Sequence, residues 1–159
     1  MSAGSDELER LLRFVARDDE TRYTLDSMGL CLVEDGGAGE WTDCPPPPEG
    51  ELFADTGGES EYYLRHDSSV ALYVPLADTP YVVVGASIRE WLALAVDQGF
   101  TLDGLAYDWE DGLAELQDEP WRDELDPPEQ RLLDELVTQM DLQPWADVPG
   151  RLAELRARG

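Results

Sequence analysis

The chain has 159 residues, enough for one core that buries roughly two-thirds of its unfolded surface without metals or disulfides. Its 36 acidic against 11 basic residues give a formal net charge of -25, which repels nucleic acid and anionic membranes and attracts basic partners without dictating a fold. Lys and Asn are absent and Ile88 is the only isoleucine, the mark of GC-rich coding, and a generally acidic proteome is an alternative origin for the charge.

The opening MSAGSDELERLLRF has no cationic segment followed by an apolar stretch. No run approaches the roughly 18 apolar residues of a membrane span, so the expected location is the cytoplasm. Leu8, Leu11, Leu12 and Val15 recur at helical spacing behind Ser5 and the acidic pair Asp6 and Glu7, which predicts a first helix. Across residues 22–33, Tyr23, Leu25, Met28, Leu30 and Leu32 approach period two and predict a strand before the Glu34-Asp35-Gly36-Gly37 turn. Residues 36–50 contain Pro45 to Pro48, whose fixed dihedrals and missing donors demand an extended loop. Cys31 and Cys44 have neither CxxC spacing nor a nearby histidine and read as free thiols, with no disulfide and no zinc site.

In residues 59–66, Tyr62 and Leu64 face one side and Glu61, Tyr63 and Arg65 the other, the pattern of a half-buried antiparallel strand. After an Asp67-Ser68 turn, Val70, Leu72 and Val74 repeat it until Pro75, and the run Tyr81 to Val84 suits a central strand. Ser87 with Glu90 forms a capping box, and Ile88, Trp91, Leu92 and Ala95 make an apolar stripe that Gly99 ends. Burying Trp91 and Leu92 is worth a few kcal/mol each at about 25 cal/mol per Å². Residues 102–125 are acidic with helical pieces. A further helix begins behind Asp126 with Pro127 and Pro128 in its first turn, and a last one at Pro149. The whole reads as a single α+β domain over residues 1–159: an antiparallel sheet with helices packed against it, a core at 53–100 and an acidic helical part at 101–159.

The ordered runs FADTGG, EYYLRH, VALYVPL, YVVVG and IREWLALAVDQGF resemble the SMI1/KNR4 (SUKH) superfamily, in which a glycine turn precedes strands and a capped helix with a glycine stop. The resemblance covers about a third of the chain. It departs upstream, where that superfamily has a helix, an LPxxY-like turn and a second helix, whereas residues 22–50 read here as a strand and a proline loop. It implies a non-enzymatic SUKH-like fold, commonly a bacterial immunity protein that neutralises a toxin domain. The alternative it implies is an intracellular regulatory or scaffold module that binds host proteins.

The residues agree on the lack of chemistry. There is no P-loop, GxSxG elbow, HExxH pair or GxGxxG turn, and the single histidine, His66, sits at a strand end beside Asp67. Close carboxylates such as Asp108, Glu110 and Asp111 lack the alternation and distal Glu of a calcium loop, so neither a metal nor a cofactor is expected. A hydrolase with an unrecognised carboxylate site is the remaining enzymatic reading. The charge itself is uneven: residues 34–61 hold nine acidic and no basic residues, and residues 101–143 hold fourteen acidic residues against Arg122 and Arg131. Trp41, Tyr62, Tyr63, Tyr107, Trp109 and Trp121 are interleaved with them, the residue types that anchor protein interfaces. The candidate partner-binding residues are therefore Trp41, Asp43, Glu59, Glu61, Tyr63, Tyr107, Asp108, Trp109, Glu110 and Asp111. The expected partner is a basic, nuclease-type toxin domain, and no nucleic acid or membrane.

Overall fold

A computed structural model describes residues 3–32, 50–56, 60–77, 79–118 and 121–158. Helix α1, Ala3–Val15, turns Leu11, Phe14 and Val15 into the core. Helix α2, Asp19–Ser27, starts where the Asp18 side chain accepts the Thr21 N–H at 2.7 Å, with Asp19 and Glu20 in its first turn. This corrects the strand expected over 22–33, which shrinks to β1, Cys31–Leu32. The physical reason lies in two side chains that a strand would place on one face: Tyr23 is 78% exposed while Leu25 is fully buried, as residues two apart on a helix are. The expected alternation survives only in Leu30 and Leu32.

Four more strands follow: β2, Glu51–Asp55; β3, Glu61–Leu64; β4, Val70–Tyr73; and β5, Tyr81–Gly85. They form an antiparallel meander in the order β1-β2-β3-β4-β5. Tyr62 lies opposite Leu72, and Leu72 opposite Val82, so these side chains line the face that the helices cover. The other face gathers Tyr63, Tyr73, Tyr81 and Leu52, with ring centroids 5.9 Å apart for Tyr63 and Tyr73 and 5.5 Å for Tyr73 and Tyr81. Strand β3 is consequently buried on both faces rather than half-buried as expected. Between β3 and β4, Ser68 takes a left-handed φ of 73°, and the Asp67 carboxylate accepts both the N–H and the hydroxyl of Ser69. His66 falls in this turn.

Helix α3, Ile88–Gln98, lies across the sheet and buries Ile88, Trp91, Leu92 and every residue on to Val96. Ser87 Oγ accepts the Glu90 N–H at 3.1 Å, while Glu90 Oε1 accepts from Ala86 N at 2.8 Å, one residue earlier than in the usual capping box. Trp91 sits among Phe53, Tyr62 and Phe100, with centroids at 5.4, 4.7 and 6.4 Å. Gly99 ends the helix at a φ of 100°, a conformation that a side chain disfavours.

The acidic half resolves into α4, Gly104–Tyr107; α5, Trp109–Asp118; a 3-10 turn, Trp121–Glu124; α6, Pro127–Met140; and α7, Val148–Arg158. At the head of α6 the Asp126 N–H donates to Glu129 Oε1 at 3.0 Å, and Leu132, Leu133, Leu136 and Met140 are buried. One apolar core runs from Leu11 of α1 to Leu152 of α7, so the chain is an α+β domain with its helices against one side of the sheet. Among the described residues no helix is long and apolar enough to cross a membrane.

Candidate partner-binding surface

Helices α4 and α5 touch through their glycines. A Cβ on Gly112 would lie 2.7 Å from the carbonyl carbon and oxygen of Gly104 and from Leu105 N, so only glycine permits this approach. Replacing Gly112 by alanine therefore forces the α4 backbone outward and costs about 1–3 kcal/mol. Urea unfolding measures this, and a loss below about 0.5 kcal/mol would show that the two helices separate freely.

Packing at these glycines leaves a short corner that projects side chains outward. Tyr107 is 47% exposed. Asp108 follows it, with Oδ1 accepting the Asp111 N–H at 3.2 Å at the start of α5, and Asp108, Glu110, Asp111 and Glu115 all face solvent. Trp109 is partly buried against the core, and the Arg156 guanidinium of α7 stands 4.4 Å over its ring. Trp109 thus holds α5 to α7 from beneath the surface, while Tyr107 is the exposed aromatic of the corner.

No salt bridge reaches Asp108, Glu110, Asp111 or Glu115 among the described residues. Five arginines form their ion pairs elsewhere. Arg13 pairs with Glu9, Arg17 with Glu135, Arg89 with Asp141, Arg122 with Asp97 and Asp134, and Arg151 with Glu90 and Glu154. The uneven charge of the sequence becomes a physical separation: these five cations pair within and between the other segments, and among the described residues the α4–α5 carboxylates have no ion pair, the nearby Arg156 standing over the Trp109 ring instead.

The other expected residues are distributed differently. Trp41, Asp43 and Glu59 lie outside the described residues. Glu61 and Tyr63 are 7% and 3% exposed, and the Tyr63 hydroxyl donates to Glu61 Oε1 at 3.2 Å. This corrects their expected place on an open surface, because both belong to the covered second face of the sheet; burial also pushes the Tyr63 phenol up. Tyr62 is wholly buried and its hydroxyl donates to the Phe100 carbonyl. Trp121 packs edge-on against Phe100 at 6.1 Å. Burial, reinforced by Asp26 and Asp55, pushes the Cys31 thiol up to about 12, which leaves it protonated and unreactive at neutral pH. Among the described residues no cluster of three or more His, Cys, Asp or Glu could hold a metal ion.

A second feature escaped sequence reasoning. A cleft of about 550 Å³ opens between the head of α3 and the segment joining α6 to α7. Arg151 grips Glu90 with two bonds of 3.1 Å and reaches Glu154 at 2.9 Å. Arg89 donates to the Met140 carbonyl at 2.9 Å and to the carbonyl and carboxylate of Asp141 at 2.7 and 3.1 Å, satisfying the end of α6. Trp145 Nε1 donates to the Glu90 carbonyl at 2.8 Å, fixing the indole as a wall. The one signal in the sequence is a tryptophan in the polar linker Gln143-Pro144-Trp145 between two helices.

Glu7 of α1 closes the floor of this cleft, its side chain only 15% exposed and 3.9 Å from Arg89 Nε. Burial raises its carboxyl above the ordinary 4.5, outweighing Arg89 and the N–H groups of Ile88 and Arg89, which act the other way. A folded-state value above the unfolded one stabilises the fold at low pH, and that contribution disappears as pH rises through the raised value. The stability difference between Glu7→Gln and the native chain should therefore move in favour of the variant from about pH 4 to about pH 7. Parallel urea titrations test this, and a difference independent of pH would contradict it.

No protein-family model matches the chain, and no curated protein or solved structure matches it either.

Proposed function

We propose that this chain is a non-enzymatic protein-binding domain of the SUKH type, a cytoplasmic immunity protein that neutralises a basic, nuclease-type bacterial toxin. The observation that carries this reading is the α4–α5 corner, where exposed Tyr107 stands among four carboxylates that have no ion pair among the described residues. A nuclease domain must be basic where it holds phosphate, so an acidic corner with an aromatic anchor complements that surface. The element order supports the family resemblance further than the sequence did. Two helices, α1 and α2, now precede the strands, although the Ala16-Arg17-Asp18 turn between them has no LPxxY-like residues.

Co-expression with a toxin domain encoded beside this chain tests the reading. Restored growth and co-purification of a basic toxin domain are the expected results. Co-purification of a non-toxic host protein instead favours the regulatory or scaffold module.

A further inference from the structure

Resting on the reading that the partner is a basic protein, we infer that the cleft between α3 and the α6–α7 segment receives an arginine side chain of that partner. The cleft, of about 550 Å³, is lined by charged side chains around an indole. It contains two arginines against five carboxylates, a formal balance of -3. Neither arginine is available to an incoming anion. Arg151 is held by Glu90 and Glu154, and Arg89 by the last carbonyls of α6 and the Asp141 carboxylate. An anionic ligand would have to break these bonds, whereas a cation meets carboxylate oxygens at the rim. The side chains of Asp141 and Glu154 are 76% and 65% exposed and each uses only one oxygen in the pairs just described.

The form of the cation follows from Trp145. Its Nε1–H is committed to the Glu90 carbonyl, so what the indole adds to the cleft lining is ring surface and not a donor. A planar guanidinium stacks on an indole face while its edge donates in bidentate fashion to a carboxylate. A Lys ammonium, more strongly hydrated and without a plane to stack, gains less from the same walls. Asp141, at the end of α6, and Glu154 of α7 line the same cleft as the indole, so a guanidinium entering it meets aromatic surface and carboxylate acceptors together.

The test uses the isolated full chain and two amidated peptides, Gly-Arg-Gly and Gly-Lys-Gly, followed by the indole N–H signal of Trp145 in a ¹⁵N-labelled sample. That signal is assigned by its loss in Trp145→Phe. The arginine peptide should shift it saturably. The double variant Asp141→Asn, Glu154→Gln should weaken binding about tenfold, the scale of a lost charge-assisted contact beside a cation–π site. Asparagine suits the left-handed φ of 53° at position 141, so the variant keeps its helix end. No saturable shift, an equal response to the lysine peptide, or unchanged binding by the double variant would each overturn the inference. The titration contains no partner protein. Its failure therefore removes the cleft and leaves the α4–α5 surface standing, and partner association that ignored salt would remove that surface without altering the titration.

Discussion

Replacing Trp91 by alanine lowers the free energy of unfolding by about 3–5 kcal/mol, the range for a large buried aromatic. Trp91 is fully buried and touches the rings of Phe53 on β2, Tyr62 on β3 and Phe100 beyond α3. Its ring is where the sheet, the central helix and the start of the acidic half meet. A cavity there has no single flexible neighbour to collapse into it, because three separate elements frame it. Trp91→Phe, which keeps an aromatic surface, should lose substantially less. Urea denaturation with native near-ultraviolet circular dichroism as the reference measures both. A Trp91→Ala loss below about 1.5 kcal/mol would place the organising contact of the core elsewhere.

Neutralising Asp108, Glu110, Asp111 and Glu115 together, to Asn or Gln, slows association with a basic partner about tenfold or more at low ionic strength, while dissociation changes less. The four groups are exposed and unpaired among the described residues, so the fold does not depend on their charge. Asparagine at position 108 can still accept the N–H of residue 111, as Asp108 does at 3.2 Å, which keeps α5 in place. Tyr107→Ala should act in the opposite kinetic channel. It removes contact area rather than field, so it speeds dissociation by a factor corresponding to about 1–2 kcal/mol. Stopped-flow or surface-capture kinetics separate the two, and an unchanged association rate in the neutralised variant would show that the corner does not steer the partner.

The parts of this fold that were legible in the sequence are those whose signals are local. Helix α3 carries its cap at Ser87, its stripe around Trp91 and its stop at Gly99 within one short window, and β3 and β4 follow the alternation of Tyr62, Leu64, Val70 and Leu72, whereas β5, whose continuous apolar run suits a central strand, lies at the sheet edge. Helix α2 was hidden because nine residues give only about two and a half turns, so Tyr23 and Leu25 fit period two as well as 3.6 until their exposures are known. The burial of Glu61 and Tyr63 was illegible for a different reason. Tyr63 packs in a cluster with Leu52, Tyr73 and Tyr81 from three other strands, and alternation alone does not say whether a second face is buried. At the candidate surface, the run from Tyr107 to Asp111 was legible as acidic and aromatic, but not the division of labour within it. Only the Arg156 guanidinium over Trp109 shows that this ring faces inward support while Tyr107 faces out. The cleft was beyond reach because Glu7, Arg89, Asp141 and Arg151 come from four segments with no shared motif.

Recruitment of a basic protein by the acidic corner is tested most directly by the association rate constant with the co-purified partner, measured across a series of salt concentrations. The rate should fall steeply as the Debye length shrinks from about 30 Å at 0.01 M to about 8 Å at 0.15 M, with most of that dependence lost in the variant neutralised at Asp108, Glu110, Asp111 and Glu115. A rate indifferent to salt, or a salt dependence that survives neutralisation intact, would contradict it.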